Sequence, residues 1–374
     1  MSNRPNLMAD EPSSQIKESQ KDSSERPFIS VVVDGFKRKE FIIDAVKSVR
    51  KQDINENAYE LIVLRAFDDI VLDKQLAQNN AKVYDVKDMS LGEAIAFSAE
   101  KSQGEVICFL DDDDMFMPSK LSKIESIFKS DPTIGYCHNS QVFCDENANP
   151  ISSSNVAERK TLDISFSNRQ LSLSLKQLRV KKINPGTLYF NLSSISVRKR
   201  LLTGKLNVIK KITGHIDDLI FFLALSAKEE VRLINISDTL TIYMVHNSMT
   251  NIVQRASNFS IREFRIKQLS DYVHSSRVNS EVSRNSEAHL LAISILTYDR
   301  ASLYNVKKEP KELIIETVNL LRKSYLKNIE YNLKKRLTTY ISFLSFAMFY
   351  VLAKHFPFLW KLSLVFPKVE SFRQ

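Results

Sequence analysis

Glycine is scarce in this chain, which has seven glycines among 374 residues where roughly 26 would be typical. No two of the seven stand two positions apart, which excludes the G-x-G-x-x-G loop of dinucleotide-binding proteins. No two stand five positions apart, which excludes a P-loop, and no serine lies between two glycines as a nucleophile elbow requires. Any phosphate group that this protein binds is therefore bound without a glycine cradle.

Cysteine is also scarce, since only Cys108, Cys137 and Cys144 are present and they form no C-x-x-C pair. A sparse and odd set of this kind indicates a reducing compartment and argues against a zinc site or a disulfide framework. Residues 1–27 lack any long apolar run, so we expect a disordered polar tail there and no signal peptide.

The overall composition is that of a globular protein, with 43% hydrophobic and 26% charged residues. The length allows one large domain with an appendage, or two domains. The formal net charge of +9 is compatible with nucleic acid, an anionic membrane surface or a phosphorylated substrate. Its distribution along the chain is needed to choose among them.

Short β-branched apolar runs alternate with helical patterns from residue 28 onward. We predict strands over residues 28–33, 59–64, 81–85 and 105–110, and helices over residues 41–49 and 91–102. This alternation predicts an α/β fold with a mostly parallel sheet and flanking helices. Ligands bind at the carboxyl ends of the strands in such sheets, so the residues that follow each strand are the candidate site.

Four consecutive aspartates, residues 111–114, follow the last of these strands. They repel one another and are stable only when solvated or neutralised by a cation. In an extended segment Asp111 and Asp113 point to the same side and offer oxygen ligands that suit Mg²⁺ or Mn²⁺. The alternative is a solvated acidic turn in which an aspartate caps the next helix.

A second carboxylate pair, Asp217 and Asp218, precedes the apolar run of residues 219–225. This pattern predicts the first turn of a hydrophobic helix, where negative side chains interact favourably with the helix dipole. Helix capping alone would explain the pair. His246 follows a strand-like segment over residues 241–245, and a single histidine of this kind is more often structural than a ligand.

In their order and spacing, these segments resemble the family 2 glycosyltransferases, which are inverting enzymes with the GT-A fold. Residues 30–41, SVVVDGFKRKEF, are similar to the family's S-V-V-I-P-T-Y-N-R-x-E-F strand. Residues 104–121 are similar to its G-E-x-I-x-F-L-D-x-D-D…P-x-K-L block, and residues 191–199 to the segment before the acceptor-side helix. Residues 217–225 fit its E-D helix, and Tyr243 with His246 fits its closing Y-R-x-H. The resemblance covers residues 28–251.

The resemblance implies a role for each matching residue. Asp111 would contact the donor ribose, and Asp113, together with Asp111, would hold the Mg²⁺ or Mn²⁺ that bridges the nucleotide diphosphate. Asp218, or with less support Asp217, would be the general base, and His246 would line the diphosphate or the metal. Further donor-binding positions would be Asp34, Phe36, Arg38, Asp68 and Asp112, and acceptor-side positions would be Asp114, Ser193 and Ser194.

Several positions depart from the family pattern. Asp34-Gly35-Phe36-Lys37 replaces P-T-Y-N, and Arg65 follows the second strand where the family usually has a carboxylate that binds the base. Asp68 or Asp69 takes over that role, or the base is held differently. Met244 and Ala224 replace arginines of the final two motifs. These changes leave the donor base and its sugar open.

The C-terminal part has a different pattern, for which we predict a helical extension over residues 256–336. Residues 307–336 carry nine Lys or Arg and four Glu, and the next 17 residues carry no charge. As a helix those 17 would span about 25 Å, slightly less than a hydrocarbon core of about 30 Å. We therefore expect residues 337–374 to associate with a membrane, as a short anchor or in its plane. The alternative is two buried helices.

Together these features predict a metal-dependent inverting glycosyltransferase, with its GT-A domain at residues 28–255. It would transfer a sugar from a UDP- or GDP-linked donor to a lipid-linked or glycan acceptor at the cytoplasmic face of the cell membrane, without a nucleic-acid partner. One alternative is a phosphohydrolase of the HAD type, although Met115 stands where that class needs Thr or Val. The other is a degenerate, non-catalytic partner that binds sugar nucleotides at the membrane, which the departures at Arg65, Ala224 and Met244 suggest.

Overall fold

The computed structural model describes residues 26–36, 39–145, 149–151, 163–169, 185–214 and 216–245, together with Val278. Within these residues the strands are β1 Ile29–Gly35, β2 Tyr59–Arg65, β3 Lys82–Asp85, β4 Val106–Asp111, β5 Met115–Phe116, β6 Ile134–Cys144, β7 Ile164–Ser167, β8 Ile195–Arg198 and β9 Arg232–Met244. The helices are α1 Ile42–Arg50, α2 Ile70–Gln78, α3 Leu91–Lys101, α4 Lys120–Ser130, α5 Lys199–Thr203, α6 Leu206–Ile209 and α7 Asp217–Leu225.

All of these strands join one mixed sheet in the order β3-β2-β1-β4-β8-β6-β9-β5, with β7 paired to β9. The first four positions in this order are parallel, as the alternation of strands and helices predicts. Beyond β4 the pairing is mixed, because β8 runs antiparallel to both β4 and β6, whereas β6 and β9 are parallel. The predicted α/β fold with flanking helices is confirmed.

Both faces of the sheet are buried at its centre, as the alternation of side chains along β1 shows. Val31 and Val33 point to the cluster that contains α1, α2 and α4 side chains, whereas Val32 points to the cluster that contains α3 and α7 side chains. Helix α7 lies inside the second cluster, since each of its residues 219–225 is at most 3% exposed. Its burial fixes the position of the two aspartates at its start.

Two of the scarce glycines allow close approach between backbones. A Cβ on Gly104 would lie 2.6 Å from the carbonyl carbon of Ile29, and one on Gly92 would lie 2.1 Å from the carbonyl oxygen of Ile209. The Gly104 N–H donates to Ser30 Oγ at 2.9 Å, which joins the turn before β4 to β1. At these positions any side chain would separate β4 from β1, or α3 from α6.

Several predicted segments lie outside the described residues. They are the polar tail up to residue 25, nearly all of the helical extension, and the whole of residues 337–374. Val278 is helical and packs in the core cluster of α3 and α7 at 3% exposure. Among the helices of the described part of the chain, none is both long enough and apolar enough to cross a membrane.

Candidate active site

The carboxyl ends of β1 and β4 place two aspartates side by side. Asp34 near the end of β1 is paired with Asp111 at the end of β4, and both side chains are half-buried. The apolar strands that precede them hold this register because their side chains alternate between the two core clusters. The structure thus brings together two of the residues predicted to bind the donor.

Residues 111–114, which we call the acidic turn, fold back on themselves directly after β4. The Asp114 N–H donates to the carbonyl oxygen of Asp111 at 3.2 Å. This turn brings carboxylate oxygens of Asp111, Asp113 and Asp114 within 4.8 Å of one another. Asp112 lies mainly inside, at 5% exposure, and its backbone N–H donates to the Asp34 carboxylate.

Asp114 anchors the acidic turn to two other parts of the chain. Its Oδ2 accepts from Asn191 Nδ2 at 2.8 Å and from Ser193 Oγ at 2.6 Å, and its Oδ1 accepts from the Met244 N–H at 3.0 Å. Burial and the neighbouring Asp113 carboxylate nonetheless raise the pKa of Asp114 to about 7. The turn is therefore held rigidly in an arrangement that concentrates negative charge.

Asp111 and Asp34, at the same edge of the sheet, also have raised pKa values. Burial, followed by the neighbouring Asp34 carboxylate, raises the pKa of Asp111 well above its ordinary value. Burial and the charges of Asp112 and Asp113 likewise raise the pKa of Asp34. A bound cation would relieve this repulsion, because an opposite charge nearby favours the ionised form of each carboxyl group.

The donor set fits a divalent cation. Asp111 and Asp113 supply hard carboxylate oxygens, while Asp114 has both oxygens engaged by the donors that anchor it. Mg²⁺ and Mn²⁺ prefer such oxygens and share their remaining positions with water and phosphate. Asp111 and Asp113 are thus the residues that could hold the ion, with Asp114 as their support.

The second aspartate pair lies in the first turn of α7, as the sequence predicts. Burial and then neighbouring carboxylates raise the pKa of Asp111, and Asp217 is one of those carboxylates. Asp218 Oδ1 accepts from the Leu219 N–H at 2.8 Å. The fold therefore brings α7 to the same site as the acidic turn, with the charge of Asp217 within electrostatic reach of Asp111.

Ser193 and Ser194, which were predicted to lie on the acceptor side, are fully buried. Neither side chain has exposed surface. The Ser193 hydroxyl accepts from the Asp111 N–H at 2.9 Å and donates to Asp114, while the Ser194 hydroxyl donates to Gln141 Oε1 at 2.9 Å. In this structure both hydroxyls are used inside the protein, and Ser193 supports the acidic turn from below.

A charged cluster lies at the carboxyl ends of β2 and β3, around Arg65. The Arg65 guanidinium lies 3.1 Å from Asp73 and 3.5 Å from both Asp68 and Asp85, and its side chain is only 12% exposed. Lys87 donates to Asp68 at 2.6 Å. The Asp68 side chain is 74% exposed, so it remains accessible as a predicted donor-binding residue.

Asp69, the other carboxylate considered for base binding, has a local role in the structure. Its Oδ1 accepts from the N–H groups of Val71 and Leu72 and so caps α2. Phe36 is half-buried and packs against the core cluster of α3 and α7. Arg38 and His246 lie outside the described residues, so their predicted roles stay predictions.

Two further residues shape this site without a local signal in the sequence. Asn191 has a positive φ of 72° and bonds to Asp114, and Lys120 is a fully buried lysine that donates to the Ser193 carbonyl oxygen. Both residues lie in segments that resemble family motifs, residues 191–199 and 104–121, but the motifs do not indicate these contacts. Nothing in the local sequence shows that a lysine at the start of an amphipathic helix is buried. The burial of Lys120 depends on Ser193 and Thr241, which lie 73 and 121 residues further along the chain.

Residues 30–200 match the family model described as Glycosyl transferase family 2. The match includes the Asp34 strand, the acidic turn and the Ser193 segment. No protein of curated function matches the chain. The phosphohydrolase alternative is set aside, because the acidic turn lies inside the matched residues.

Solved structures with the same fold include two complexes of residues 1–349 of S. aureus TarS. The complex with UDP-GlcNAc has a TM-score of 0.52 at 16% identity, and the complex with UDP has a TM-score of 0.51 at 15% identity. Each alignment covers 79% of this chain and 80% of that chain. The mannosyltransferase PcManGT of Pyrobaculum calidifontis with GDP-Man and Mn²⁺ aligns over 89% of this chain and 82% of its own, at 12% identity and a TM-score of 0.45.

Proposed function

We propose that this protein, whose residues 30–200 match the Glycosyl transferase family 2 model, is a catalytically active glycosyltransferase. It transfers a sugar from a nucleoside-diphosphate donor to a hydroxyl or phosphate acceptor, in one displacement that inverts the anomeric carbon. The observation that carries the proposal is the placement of the acidic turn and the α7 aspartates at one edge of the sheet. No protein nucleophile is required for such a displacement.

On the donor side, Asp111 and Asp113 would hold a Mg²⁺ or Mn²⁺ ion. When bound, this ion supplies charge that offsets the negative charge on the departing nucleoside diphosphate. Asp34 and Asp111 face the donor from neighbouring strands, and Asp114 keeps the turn in place through its three hydrogen bonds. The absence of glycine-rich loops from the sequence agrees with a diphosphate that is neutralised by a cation rather than by backbone N–H groups.

On the acceptor side, Asp218 would take the proton from the attacking hydroxyl group. A carboxylate can do this when it lies within hydrogen-bond distance of that hydroxyl. Asp217 is the alternative base, and its electrostatic effect on Asp111 supports a location of the pair beside the donor. The buried, apolar remainder of α7 keeps both carboxylates at the start of the helix.

The donor and the base are tested by transfer of a labelled sugar from UDP- and GDP-sugars in the presence of Mn²⁺. Thermal-shift screening first selects the donor, because a ligand that binds only the folded state raises the unfolding temperature. We expect D218N to abolish transfer while D217N retains part of it, and D44N on α1 to leave transfer unchanged. Wild-type turnover by D218N would reject Asp218 as the base, and a product with retained anomeric configuration would reject the single displacement.

The acceptor is proposed to be lipid-linked or a growing glycan, at the cytoplasmic face of the cell membrane. This part rests on the C-terminal sequence, in which nine basic and four acidic residues precede 17 uncharged ones. Lysine and arginine beside an apolar segment attract anionic lipid headgroups. The full chain should bind vesicles that contain phosphatidylglycerol and should not bind vesicles of phosphatidylcholine alone. Failure to bind either kind of vesicle would reject the membrane location.

A non-catalytic role in binding sugar nucleotides remains as the second candidate. The observation that favours it is Arg65, whose guanidinium lies among three carboxylates at the end of β2. Tight binding of a nucleotide sugar with no transfer to water, polyprenyl phosphate or glycan acceptors would support this second candidate. Transfer to any of them would reject it.

A further inference from the structure

Lys120, the first residue of α4, is buried without any exposed surface. Its ammonium group donates to the Ser193 carbonyl oxygen and, at 3.1 Å, to Thr241 Oγ1, and it lies 4.1 Å from the centre of the Phe116 ring. All three of these neighbours are neutral. Burying a charged group in such surroundings is costly, and burial lowers the pKa of Lys120 to about 8.

The contacts of Lys120 lead directly to the acidic turn. Ser193, whose carbonyl oxygen accepts from the lysine, also accepts from the Asp111 N–H and donates to Asp114 through its hydroxyl. Thr241 donates to the same Ser193 carbonyl at 3.1 Å. A single residue, Ser193, therefore connects the amine of Lys120 to both Asp111 and Asp114, the two ends of the acidic turn.

Thr241 connects Lys120 to the other support of Asp114. It lies on β9, whose last residue, Met244, donates its N–H to Asp114 Oδ1. Lys120 thus contacts both Ser193 and Thr241, which lies three residues before Met244 on β9. A hydrophobic side chain would fill the same space but could not join them.

We propose that Lys120 is a positioning residue, whose ammonium group fixes the Ser193 segment against β9 and so holds Asp111 and Asp114 in the geometry that binds the cation. The cation itself belongs to the proposed function, on which this inference rests. In this role Lys120 acts through Ser193 and Thr241 and not by contact with the ion. Its buried positive charge also lies within electrostatic reach of Asp114.

The test is K120M, which keeps an unbranched side chain that is shorter by the terminal amine, and removes the charge and the donors. Substitution of a residue that supports the metal ligands typically lowers metal affinity or activity by about 10- to 100-fold. We therefore expect the dissociation constant for Mn²⁺ to rise about tenfold in K120M. The constant is measured on the full chain by electron paramagnetic resonance of free Mn²⁺. At saturating Mn²⁺ we expect kcat to fall while the KM for the donor changes much less.

The matched control is K129M on the same helix, because the Lys129 side chain is 57% exposed and pairs with Glu125. K129M should bind Mn²⁺ like the wild type. A purely packing role for Lys120 would lower the unfolding temperature of K120M but leave Mn²⁺ affinity unchanged, and that result would overturn the proposal. If K120M fails to fold, T241V, which removes one acceptor of the lysine, should weaken Mn²⁺ binding by a smaller factor than K120M is expected to.

A second measurement separates this inference from the proposed function. Hydrogen exchange on the metal-free chain reports the Asp111 and Asp114 N–H groups directly. We expect exchange at residues 111–114 to be faster in K120M than in K129M. If the wild type binds no Mn²⁺, the proposed cation is wrong, and the exchange comparison still decides the role of Lys120. Equal exchange rates at residues 111–114 in K120M and K129M would overturn the positioning role of Lys120.

Discussion

Asp34 and Asp111 are paired residues on neighbouring parallel strands, and their carboxyl groups meet at the carboxyl edge of the sheet. Burial is the first cause of the raised pKa of each, and nearby carboxylates add to it. Two ionised carboxylates side by side repel each other and lower the free energy of unfolding unless a proton or a cation neutralises them. Their arrangement therefore links the stability of the protein to pH and to the cation.

The first prediction concerns this link, through D34N in chain freed of metal with EDTA. Because the pKa of Asp34 is raised in the folded state, its contribution to stability is present at low pH and is lost as pH rises. Asparagine does not titrate and can still accept from the Asp112 N–H. The unfolding temperature of D34N relative to wild type should therefore increase from about pH 4 to about pH 7.5.

The control for this prediction is the same series with saturating Mn²⁺. A cation at Asp111 and Asp113 offsets the repulsion, so the advantage of D34N at the higher pH should shrink. A difference between D34N and wild type that stays constant across pH would contradict the raised pKa of Asp34.

The second prediction is that D113A loses metal-dependent transfer. Removal of one group that stabilises developing charge typically costs at least about a hundredfold in kcat. Sugar transfer is measured across a Mn²⁺ titration, and thermal unfolding shows whether the variant is folded. D44A is the matched control, since Asp44 on α1 is 60% exposed and lies outside the site. Normal transfer by D113A would remove Asp113 from the set of ligands.

The third prediction concerns the backbone at Asn191, where φ is 72° and ψ is 117°. N191A and N191G both lose the hydrogen bond to Asp114, but only glycine adopts this conformation without strain. N191G should therefore be more stable than N191A by about 1 kcal/mol. Urea denaturation of the two variants measures the difference, and an equally stable N191A would show that the backbone there is not strained.

The fourth prediction concerns the cluster around Arg65. R65A leaves Asp68 and Asp85 paired with Lys87 but removes the ion pair of Asp73. We expect a loss of about 1–2 kcal/mol after allowance for the exposure of the carboxylates. Denaturant unfolding measures it. R200A, which breaks an ion pair with both partners about half exposed, should cost under about 0.5 kcal/mol. Similar losses for both variants would mean that the Arg65 cluster adds no stability of its own.

The N-terminal half of the sheet could be predicted because its signals are local. The apolar, β-branched runs of β1, β2 and β4 are long enough to identify buried strands, and Ser90 with Glu93 forms the capping box that begins α3. The acidic turn was predicted for the same reason, since it follows a buried strand directly. Its place at the edge of a parallel sheet then follows from the topology of the fold.

Strand β6 shows why the second half was harder to predict. His138, Asn139, Ser140 and Gln141 lie in its middle and are nearly or fully buried, although their polarity suggests a surface loop. Asn139 donates to Thr241 and His138 bonds to Asn235, about 100 residues further along the chain. Such polar groups are buried only because distant partners satisfy them, and no local pattern reveals those partners.

The sequence by itself determined the fold class, the acidic turn as the candidate cation site and the aspartate pair at the start of α7. These depend on periodicity and on neighbours in the chain. Only the tertiary structure decided that Asp34 lies beside Asp111, that Ser193 supports Asp114 from inside, and that Lys120 is buried beneath them. The physical reason is that a buried polar group is stable only with its partners in place, and here those partners come from segments 73 to 130 residues apart.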